Sequence, residues 1–527
     1  MQADALYQPA SLTPDYPADR LAALPQRLHE VILPWLESRP DALALQDERR
    51  RLSYAEFDEA TRQAAEHLKA QGLRPGDRLL IVAENCVALP VLFFAASRLD
   101  AWACVVNARL SGAELDAIYQ HAGARLAVFL HQNSAAAGDH AQRFDASEFD
   151  WPATGPLCVS RFNVDAVPEP VHASGAGQVA ALIYTSGTTG QPKGVMLTHR
   201  NLVFIGDSAR RNRAITPADV AYCILPMSHV YGLASVLIGT LYSGGTLRIE
   251  SRFDPERVAR AWLDDGVTFM HGVAAMYAKV LEWSRATGTS LRQTTLRVAQ
   301  GGGGPLSQAL KDDFEATVGV PLHLGYGMTE AAPTIAQTRL DAPRRDISSG
   351  PPIPGVEVRR VDTDDNEAAA DQVGEIWVRG PNVMKGYYHD PEQTAAALTA
   401  DGWLRTGDLG IQDDEGNITI VGRSKELIIR SGFNVYPTEV EGAINAHPDV
   451  LQSAVVGRVN GDNEDIVAYI EPVPGAPRDA QALQRWLRDR LSPYKIPTHI
   501  EYLDQLPAAS TGKVLKKALK LRAAGST

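Results

Sequence analysis

The sequence predicts an α/β protein, with a large N-terminal domain of two helix-flanked sheets and a β-barrel-like subdomain, followed by a small α+β C-terminal domain. Three observations predict it. Apolar strand-like runs alternate with helical patterns over residues 20–130, which is typical of a sheet covered by helices. Residues 350–422 alternate apolar and polar positions, as antiparallel strands with one solvated face do. Residues 423–527 have the size of a small separate domain. We therefore expect domains at 1–422 and 423–527.

Length and charge limit the classes of function. The chain has 527 residues, enough for roughly two to four domains with a large core. Hydrophobic residues make up 45% and charged residues 22%, which is ordinary for a soluble globular protein. The formal net charge of −12 and the pI near 5.6 argue against nucleic acid or an anionic membrane as the main partner. A small anionic ligand is still compatible with this charge.

The thiols and apolar runs predict a cytoplasmic protein without a membrane span. No C-x-x-C pair links the cysteines, so reduced core thiols are expected; they are Cys86, Cys104, Cys158 and Cys223. The first twenty residues hold three aspartates and no continuous apolar stretch, which argues against a secretory signal. The apolar run 89–106 is interrupted by Arg98 and Asp100 and is expected in the core. The oligomeric state stays open, with a homodimer as one candidate.

The N-terminal elements follow from local patterns. Ser53 and Glu56 form a capping-box pattern that predicts a helix ending near Gly72. The apolar runs 78–83 and 101–107 predict two strands with a helix between them. Residues 131–178 are rich in Ala, Gly, Asp and Pro and are interpreted as a variable connection.

The segment YTSGTTGQPKG at 184–194 follows an apolar run and has the composition of a phosphate-binding loop. Its glycines allow several N–H groups to turn toward one anion, and its hydroxyls and Lys193 add donors and a positive charge. It is not a Walker loop, because no G-x-x-x-x-G-K-[ST] string occurs in the chain. A mobile surface loop is the alternative interpretation.

Further glycine-rich and polar loops follow short predicted strands. The strand-like run 222–226 leads into a loop with His229, and the runs 296–299 and 321–324 open into residues 300–304 and 325–330. Ligands of α/β sheets bind beyond the carboxyl ends of the strands. These loops are therefore candidate walls of a ligand site.

The end of the chain predicts a surface helix. Lys516, Lys517 and Lys520 are interspersed with Leu515 and Leu519, which supply one apolar face at helical spacing. We interpret the lysines as its solvated side.

Five ordered segments resemble the motifs of the adenylate-forming superfamily, which contains acyl-CoA synthetases, coumarate-CoA ligases, luciferases and peptide-synthetase adenylation domains. They are residues 184–194, 325–330, 403–408, 422–432 and 507–513. The resemblance covers about residues 30–520. It implies a two-step reaction that uses ATP, Mg²⁺ and coenzyme A: a carboxylate attacks the α-phosphate to form an acyl-adenylate and pyrophosphate, and a thiol then displaces AMP.

The resemblance also assigns the nucleotide-binding residues. The β and γ phosphates would be held by the glycine loop, through Thr185, Ser186, Gly187, Thr188, Thr189, Gly190 and Lys193. Thr329 would contact the α-phosphate, and Glu330 would bind Mg²⁺, a cation suited to one carboxylate plus phosphate oxygens. By the same resemblance Tyr326, between Gly325 and Gly327, would stack on adenine.

The remaining roles lie toward the C-terminus. The resemblance implies that Asp408 accepts hydrogen bonds from the ribose hydroxyls and that Arg423 adds a ribose or phosphate contact. Lys425 falls at the hinge position, and Gly432 belongs to the loop that lines the pantetheine tunnel. Lys513 would stabilise the first transition state, which requires the small domain to close and later to rotate. Taken alone, Asp408 could be a turn residue and Lys513 a solvated charge.

The acyl pocket implied by the resemblance has an apolar or small lining. Its residues are His229, Tyr231, Gly232, Gln300, Gly301, Gly302, Gly303, Gly325 and Met328. The glycines leave space, and no arginine or lysine is evident that would pair a second carboxylate, so an uncharged acid is expected. Ile429 and Asn434 stand where coumarate-CoA ligases have a lysine and a glutamine, which weakens a hydroxycinnamate assignment. We expect a medium- or long-chain fatty acid, with an aryl or alicyclic acid as the alternative.

Two other functions stay open. One is a stand-alone adenylating enzyme that loads a carrier protein, which would be a separate chain because the sequence ends directly after the lysine helix. The other is a non-enzymatic adenine-nucleotide-binding regulator. The presence of five residues argues against the regulator, since a sensor of AMP has no need of the last of them; they are Lys193, Glu330, Asp408, Arg423 and Lys513.

Overall fold

The computed structural model describes residues 16–186, 192–369, 372–431, 433–460, 463–508 and 514–525. The α-helices of these ranges are α1 (Ala18–Ala23), α2 (Leu33–Ser38), α3 (Tyr54–Ala70), α4 (Ala88–Arg98), α5 (Gly112–Ala122), α6 (Ala135–Arg143), α7 (His199–Asn212), α8 (Gly239–Tyr242), α9 (Pro255–Leu263), α10 (Ala274–Thr287), α11 (Gln308–Val318), α12 (Pro391–Ala397), α13 (Pro437–Asn445), α14 (Ala480–Arg488) and α15 (Lys516–Ala523). A π-helix spans Tyr231–Ile238, and short 3₁₀ turns include Thr329–Ala331 and Ser424–Glu426.

The strands lie in five sheets. They are β1 (Leu43–Gln46), β2 (Arg51–Ser53), β3 (Arg78–Ala83), β4 (Trp102–Asn107), β5 (Leu126–Phe129), β6 (Ser147–Trp151), β7 (Gly155–Val159), β8 (Val179–Ser186), β9 (Pro192–Thr198), β10 (Val220–Cys223), β11 (Thr246–Ile249), β12 (Phe269–Gly272), β13 (Val298–Gly301), β14 (Leu322–Gly327), β15 (Thr334–Gln337), β16 (Glu357–Val361), β17 (Gly374–Arg379), β18 (Gly386–Tyr387), β19 (Leu404–Gln412), β20 (Ile418–Arg423), β21 (Ile428–Arg430), β22 (Phe433–Val435), β23 (Val450–Asn460), β24 (Asn463–Pro472) and β25 (His499–Tyr502).

Two eight-stranded sheets form the large N-terminal part. The first has the order β15-β14-β13-β12-β10-β11-β1-β2, and the second has the order β18-β9-β8-β4-β3-β5-β7-β6. Neighbours from β14 to β1 in the first sheet run parallel, as do β8, β4, β3 and β5 in the second. The helix-flanked sheets expected from the alternating pattern are confirmed, and their central strands run parallel.

Side-chain alternation along β3 explains why this strand is buried on both faces. Leu79 and Ile81 belong to the continuous core shared with the first sheet, whereas Leu80 and Val82 face a second cluster under α5 and α6. Because successive side chains point to opposite faces, a strand covered on both sides reads as an unbroken apolar run. The predicted strands 78–83 and 101–107 are confirmed as β3 and β4, with α4 between them.

Helix α3 begins as the capping box predicts. Ser53 is its N-cap and accepts a hydrogen bond from the backbone N–H of Glu56, whose carboxylate in turn accepts from the N–H of Ser53. Gly72, just past the helix end, has φ +93°, a conformation that glycine adopts without a Cβ penalty.

Residues 131–178 are more ordered than the sequence suggested. The interpretation as a variable connection is wrong for residues 135–159, which contain α6 and the hairpin β6–β7. Strand β7 pairs antiparallel with β5 and so extends the second sheet. The composition of this stretch resembles a loop because its edge strand β6 is largely exposed and does not need an apolar run; the pairing of β7 with β5 is a tertiary contact.

The remaining sheets agree with the change in residue pattern predicted after residue 350. Strands β16, β17, β19 and β20 form an antiparallel four-stranded sheet, which is the subdomain expected to be barrel-like. The small C-terminal part has the sheet β23-β24-β25 with α13 and α14 packed on an apolar core. The boundary between 422 and 423 stays a prediction. Among the described residues, no helix is long and apolar enough to cross a membrane.

Candidate active site

The glycine loop lies between two paired strands. β8 and β9 run antiparallel, with Thr185 opposite Lys193 and Ser186 opposite Pro192. A hairpin of this kind holds both ends of the loop in one place. Residues 187–191 lie outside the described residues, so the predicted roles of Gly187, Thr188, Thr189 and Gly190 stay predictions.

Tyr387 connects the end of this loop to the predicted metal ligand. Its hydroxyl donates a hydrogen bond to Oε1 of Glu330 at 2.8 Å, and the ammonium of Lys193 lies 5.2 Å from the centre of its ring. Burial and the nearby Glu330 carboxylate both raise the pKa of Tyr387, so the hydroxyl stays a donor. The backbone of Tyr387 pairs with Val195 of β9. Sequence reasoning missed this residue, because two adjacent tyrosines in a polar segment carry no distinguishing signal.

Glu330 is suited to a metal ion that also takes ligands from phosphate. It lies in the 3₁₀ turn Thr329–Ala331 directly after β14, and its backbone oxygen accepts from Met384 N–H at 2.8 Å. No group of three or more His, Cys, Asp or Glu that could hold a metal occurs in the part of the chain that the structure describes. A single carboxylate beside a nucleotide fits Mg²⁺, which retains waters and binds phosphate oxygens.

Tyr326 and Arg423 both bind the buried carboxylate of Asp408. The Tyr326 hydroxyl donates to Oδ2 of Asp408 at 2.8 Å, and Nε of Arg423 donates to Oδ1 at 2.7 Å. Asp408 is 3% exposed. Its charge raises the pKa of Arg423, and burial followed by this charge raises the pKa of Tyr326. A carboxylate has about four acceptor positions, so Asp408 retains capacity for the predicted ribose hydroxyls.

Gly327 shows why this strand end contains glycine. A Cβ placed on Gly327 would lie 2.0 Å from the backbone oxygen of Pro333. The main chain of residues 332–334 therefore packs directly on it, and Met328 N–H donates to the same Pro333 oxygen at 2.9 Å. The glycine is required for this close approach, which sets the direction in which Tyr326 and Thr329 leave the strand.

The predicted acyl pocket is brought together around Tyr231. This residue begins the π-helix Tyr231–Ile238, and a Cβ on Gly302 would lie 2.9 Å from its hydroxyl oxygen. The expectation that the glycines leave open space is therefore only partly confirmed: the Tyr231 ring fills the space beside Gly302, whereas a Cβ on Gly304 would meet nothing within 4 Å. Gly232 allows the π-helix to pack against the backbone of residues 225–226.

A row of polar side chains lines the same face of the sheet. His271, Gln300 and His323 are register partners on β12, β13 and β14, and partners in a parallel sheet point to one face. The Tyr231 hydroxyl is 3.0 Å from Nδ1 of His271. A Cβ on Gly325 would lie 2.8 Å from Nε2 of Gln300. The predicted pocket residues thus continue into a polar wall.

Arg213 belongs to this wall and was not expected there. Its Nη1 donates to the backbone oxygen of Thr338 at 2.9 Å, and Oγ1 of Thr338 is 3.3 Å from Nδ1 of His323. Burial lowers the pKa of Arg213 to about 9. Burial and, second, the Arg213 charge lower the pKa values of His271 and His323 to about 3. In the sequence it follows Arg210 and Arg211 at a helix end, where basic residues are usually solvated.

The predicted hinge region contacts the last helix, α15. Lys425 lies in the 3₁₀ turn Ser424–Glu426, and Nζ of Lys520 donates to its backbone oxygen at 3.4 Å. Nζ of Lys516 pairs with Glu426 at 3.0 Å and with Glu441 at 2.8 Å. The interpretation of Lys516 as solvated is therefore wrong: its side chain is 20% exposed and pairs with carboxylates, one of which belongs to the neighbouring helix α13. Gly432 and Lys513 lie outside the described residues, and their roles stay predictions.

Comparison with protein families covers most of the chain. Residues 34–388 match the family described as AMP-binding enzyme, and residues 439–513 match the AMP-binding enzyme C-terminal domain.

Relatives and solved structures match the chain along most of its length. A feruloyl-CoA synthase of Amycolatopsis sp is 34% identical and covers 92% of this chain and 96% of its own length. ATP-bound MatB from Rhodopseudomonas palustris has a TM-score of 0.84 at 31% identity, with 94% of this chain and 98% of that chain covered. The O-succinylbenzoate coenzyme A synthetase MenE from Bacillus subtilis, in complex with ATP and magnesium ion, has a TM-score of 0.79 at 29% identity, covering 93% and 99%.

Proposed function

The chain belongs to the AMP-binding enzyme family and is an AMP-forming acid–thiol ligase, and on this basis we propose that it converts an aryl carboxylic acid to its coenzyme A thioester. ATP, Mg²⁺ and coenzyme A are its cosubstrates and metal, in agreement with the neighbour solved with ATP and magnesium. The observation that carries the proposal is the contact of Tyr387 with both Glu330 and Lys193. It joins a phosphate-binding group and a metal ligand at one position.

In the first step, the acid forms a bond from its carboxylate oxygen to the α-phosphorus while the bond to pyrophosphate breaks. Negative charge grows on the phosphate oxygens, so the protein has to present cations and donors there. In the proposed arrangement, Lys193 holds the β and γ phosphates, and Thr329 donates to the α-phosphate. Bound Mg²⁺ would neutralise phosphate charge. Glu330 supplies its protein ligand, and Tyr387 keeps that carboxylate in place.

The nucleoside would be held by side chains of β14, β19 and β20. Tyr326 offers a ring for adenine, and its hydroxyl is fixed by Asp408. Arg423 neutralises the buried Asp408 carboxylate, which makes it possible to keep this acceptor ionised in a largely buried site. The pair therefore supports binding of the two ribose hydroxyls.

In the second step, the thiol of coenzyme A attacks the acyl carbon and AMP leaves. We propose that the hinge at Lys425 turns the small domain between the two steps, so that Lys513 serves the first and the loop at Gly432 serves the second. Lys516 and Lys520 attach helix α15 to this hinge. They would make the hinge turn and the helix move together.

An aryl acid has more support than a fatty acid. The relative named for feruloyl-CoA and the neighbour named for succinylbenzoate act, by their names, on aryl acids. The wall of the pocket carries His271, Gln300 and Arg213, and the end of a long alkyl chain would gain nothing from such polar groups. The medium- or long-chain fatty acid preferred from the sequence has no such support.

The test is pyrophosphate release from ATP and Mg²⁺ over a panel of aryl, alicyclic and fatty acids. Coenzyme A or a carrier protein is then offered to the enzyme-bound adenylate. We expect pyrophosphate with aryl acids and AMP release with coenzyme A. Thioester formation only on carrier protein would instead identify a loading enzyme, and binding of adenine nucleotide without pyrophosphate from any acid would identify a regulator.

A further inference from the structure

Buried polar atoms without a partner cluster on one face of the first sheet. Nε and Nη2 of Arg213, Nε2 of His271 and Oε1 of Gln300 are buried and make no hydrogen bond in the structure. All three side chains are at least 95% buried: Arg213 is 1% exposed, His271 5% and Gln300 2%. A buried polar atom left without a partner costs free energy, so each such group in a native protein requires an explanation.

The cluster continues the acyl pocket. His271 contacts the hydroxyl of Tyr231, which in turn lies against Gly302, and Gln300 lies against Gly325. Gln300 and His323 each precede a pocket glycine, Gly302 or Gly325, by two residues, and His271 is the register partner of Gln300, which places these strand side chains about 7 Å deeper along the sheet. The cluster therefore lies behind the glycines, at the end of the pocket that is distant from the reacting carboxylate.

Of these three side chains, Arg213 has the most buried atoms without a hydrogen-bond partner. It makes one described side-chain hydrogen bond, to a neutral backbone oxygen, and no carboxylate pairs with it among the described residues. The two histidines nearby are neutral at physiological pH, because burial and the Arg213 charge hold their pKa values near 3. An oxygen that accepts hydrogen bonds from these two free donors would strongly stabilise the buried cation.

From these contacts, and resting on the proposed function, we propose that Arg213 and His271 bind an accepting oxygen, either an anionic or a carbonyl oxygen, that the acid carries at the end opposite its reacting carboxylate. The fork of Arg213 donates to this oxygen from Nε and Nη2. Nε2 of His271 adds a donor when its Nδ1 accepts from Tyr231. Oε1 of Gln300 accepts the proton of a hydroxylated acid.

The proposal also assigns a movement to Tyr231. Its ring fills the space beside Gly302, so an acid that enters between them has to displace it. This requires only a side-chain rotation, which is common on ligand binding.

This assignment changes the expectation of an uncharged acid. No cation was evident from the sequence for a second polar group, yet the fold brings Arg213 to the pocket from the end of α7. A plain hydrocarbon end would leave the Arg213 donors unpaired. The acid is therefore one with an oxygen function at its far end, and simple fatty acids are disfavoured by the same cost.

The experiment compares matched acids on one skeleton. Wild-type enzyme is assayed for pyrophosphate release with 3-phenylpropenoic acid and with its 4-hydroxy, 4-acetyl and 4-carboxy derivatives. We expect kcat/KM for at least one oxygenated acid to exceed that of the unsubstituted acid by at least about tenfold, since hydrogen bonds to a charged group contribute about one to two orders of magnitude. The 4-acetyl and 4-carboxy acids distinguish a carbonyl from an anionic oxygen.

Arg213→Met then tests the residue. We expect the ratio of kcat/KM between oxygenated and unsubstituted acid to fall below about threefold, whereas Arg213→Lys retains part of it. The ratio within one protein does not depend on the fraction that is folded. If Arg213→Met does not fold, His271→Phe replaces it, with a fall in the same ratio expected.

Two outcomes would overturn the proposal. One is turnover of all four acids by wild-type enzyme with equal kcat/KM, and the other is an unchanged ratio in the variants, which would mean that ordered water satisfies Arg213. Neither affects the proposed ligase function, which fails only if no acid of the panel releases pyrophosphate.

Discussion

The hydroxyl of Tyr387 donates a hydrogen bond to Oε1 of Glu330 at 2.8 Å, while the ring of the same tyrosine lies under the ammonium of Lys193. Two groups from different parts of the chain, one expected to bind a metal and one expected to bind phosphate, are thereby held by one side chain. Strand β18 supplies the rigidity, because its two residues pair with β9. Tyr387 acts on the reaction through its neighbours and is therefore a positioning residue.

Tyr387→Phe removes this hydrogen bond and retains the ring. Partners that orient a metal ligand typically contribute ten- to hundredfold to metal affinity, so we expect the Mg²⁺ concentration for half-maximal pyrophosphate release to rise about tenfold. Titration of Mg²⁺ at saturating ATP and acid measures it. Tyr388→Phe is the matched control, since the Tyr388 hydroxyl donates to Glu169 and not to Glu330. Equal Mg²⁺ dependence in both variants would contradict the role of Tyr387.

Two substitutions at Tyr326 separate its ring from its hydroxyl. Tyr326→Phe retains the ring and removes the hydroxyl that donates to Asp408, and we expect KM for ATP to rise about threefold to tenfold, the effect of a hydrogen bond. Tyr326→Ala also loses the ring, and we expect a further rise of about tenfold. Initial rates over a range of ATP concentrations give both values. An equal KM in the two variants would show that the ring makes no contact with adenine.

Lys513→Ala tests whether the two half-reactions use different domain orientations. We expect pyrophosphate release to fall by at least about a hundredfold, because a cation is lost from the first transition state. Thioester formation from supplied acyl-adenylate should change by less than about threefold. Single-turnover assays of each half-reaction measure them separately, and each serves as the control for the other. Equal loss of both would contradict a rotation of the small domain.

Lys516→Met tests the connection between α15 and the hinge. The change leaves Glu441, whose side chain is 4% exposed, without its ion pair, and we expect the free energy of unfolding of the C-terminal domain to fall by about 2–3 kcal/mol. Urea unfolding followed by Trp486 fluorescence, compared with a Trp486→Phe background, reports on this domain. Arg485→Met, at an exposed position of α14 in the same domain, should change stability by less than about 0.5 kcal/mol. A similar loss in both variants would refute the ion-pair role.

Local sequence patterns were sufficient to predict strands that are buried on both faces and a helix that carries its own capping residues. β3 and β4 are apolar at nearly every position because both of their faces are covered, and α3 is bounded by its own capping residues. Such signals are contained in a few consecutive residues, so they can be recognised without knowing the fold. The prediction for residues 131–178 failed for the opposite reason. Strand β6 is largely exposed, and only the pairing of β7 with β5 makes this hairpin part of the sheet.

The sequence by itself determined the family and the order of its motifs, and it predicted the residues of the nucleotide site, because glycines, Glu330 and Asp408 are recognisable from their immediate neighbours. Only the tertiary structure decided which side chains face one another. Tyr387 reaches Glu330 over 57 positions of sequence, and Arg213 reaches Thr338 over 125. Such contacts depend on how strands and helices pack. The same packing buries Arg213 at the wall of the predicted pocket and leaves two of its nitrogen atoms without a hydrogen-bond partner. Long-range packing and desolvation have no local signature, which is why these two residues were visible only in the folded molecule.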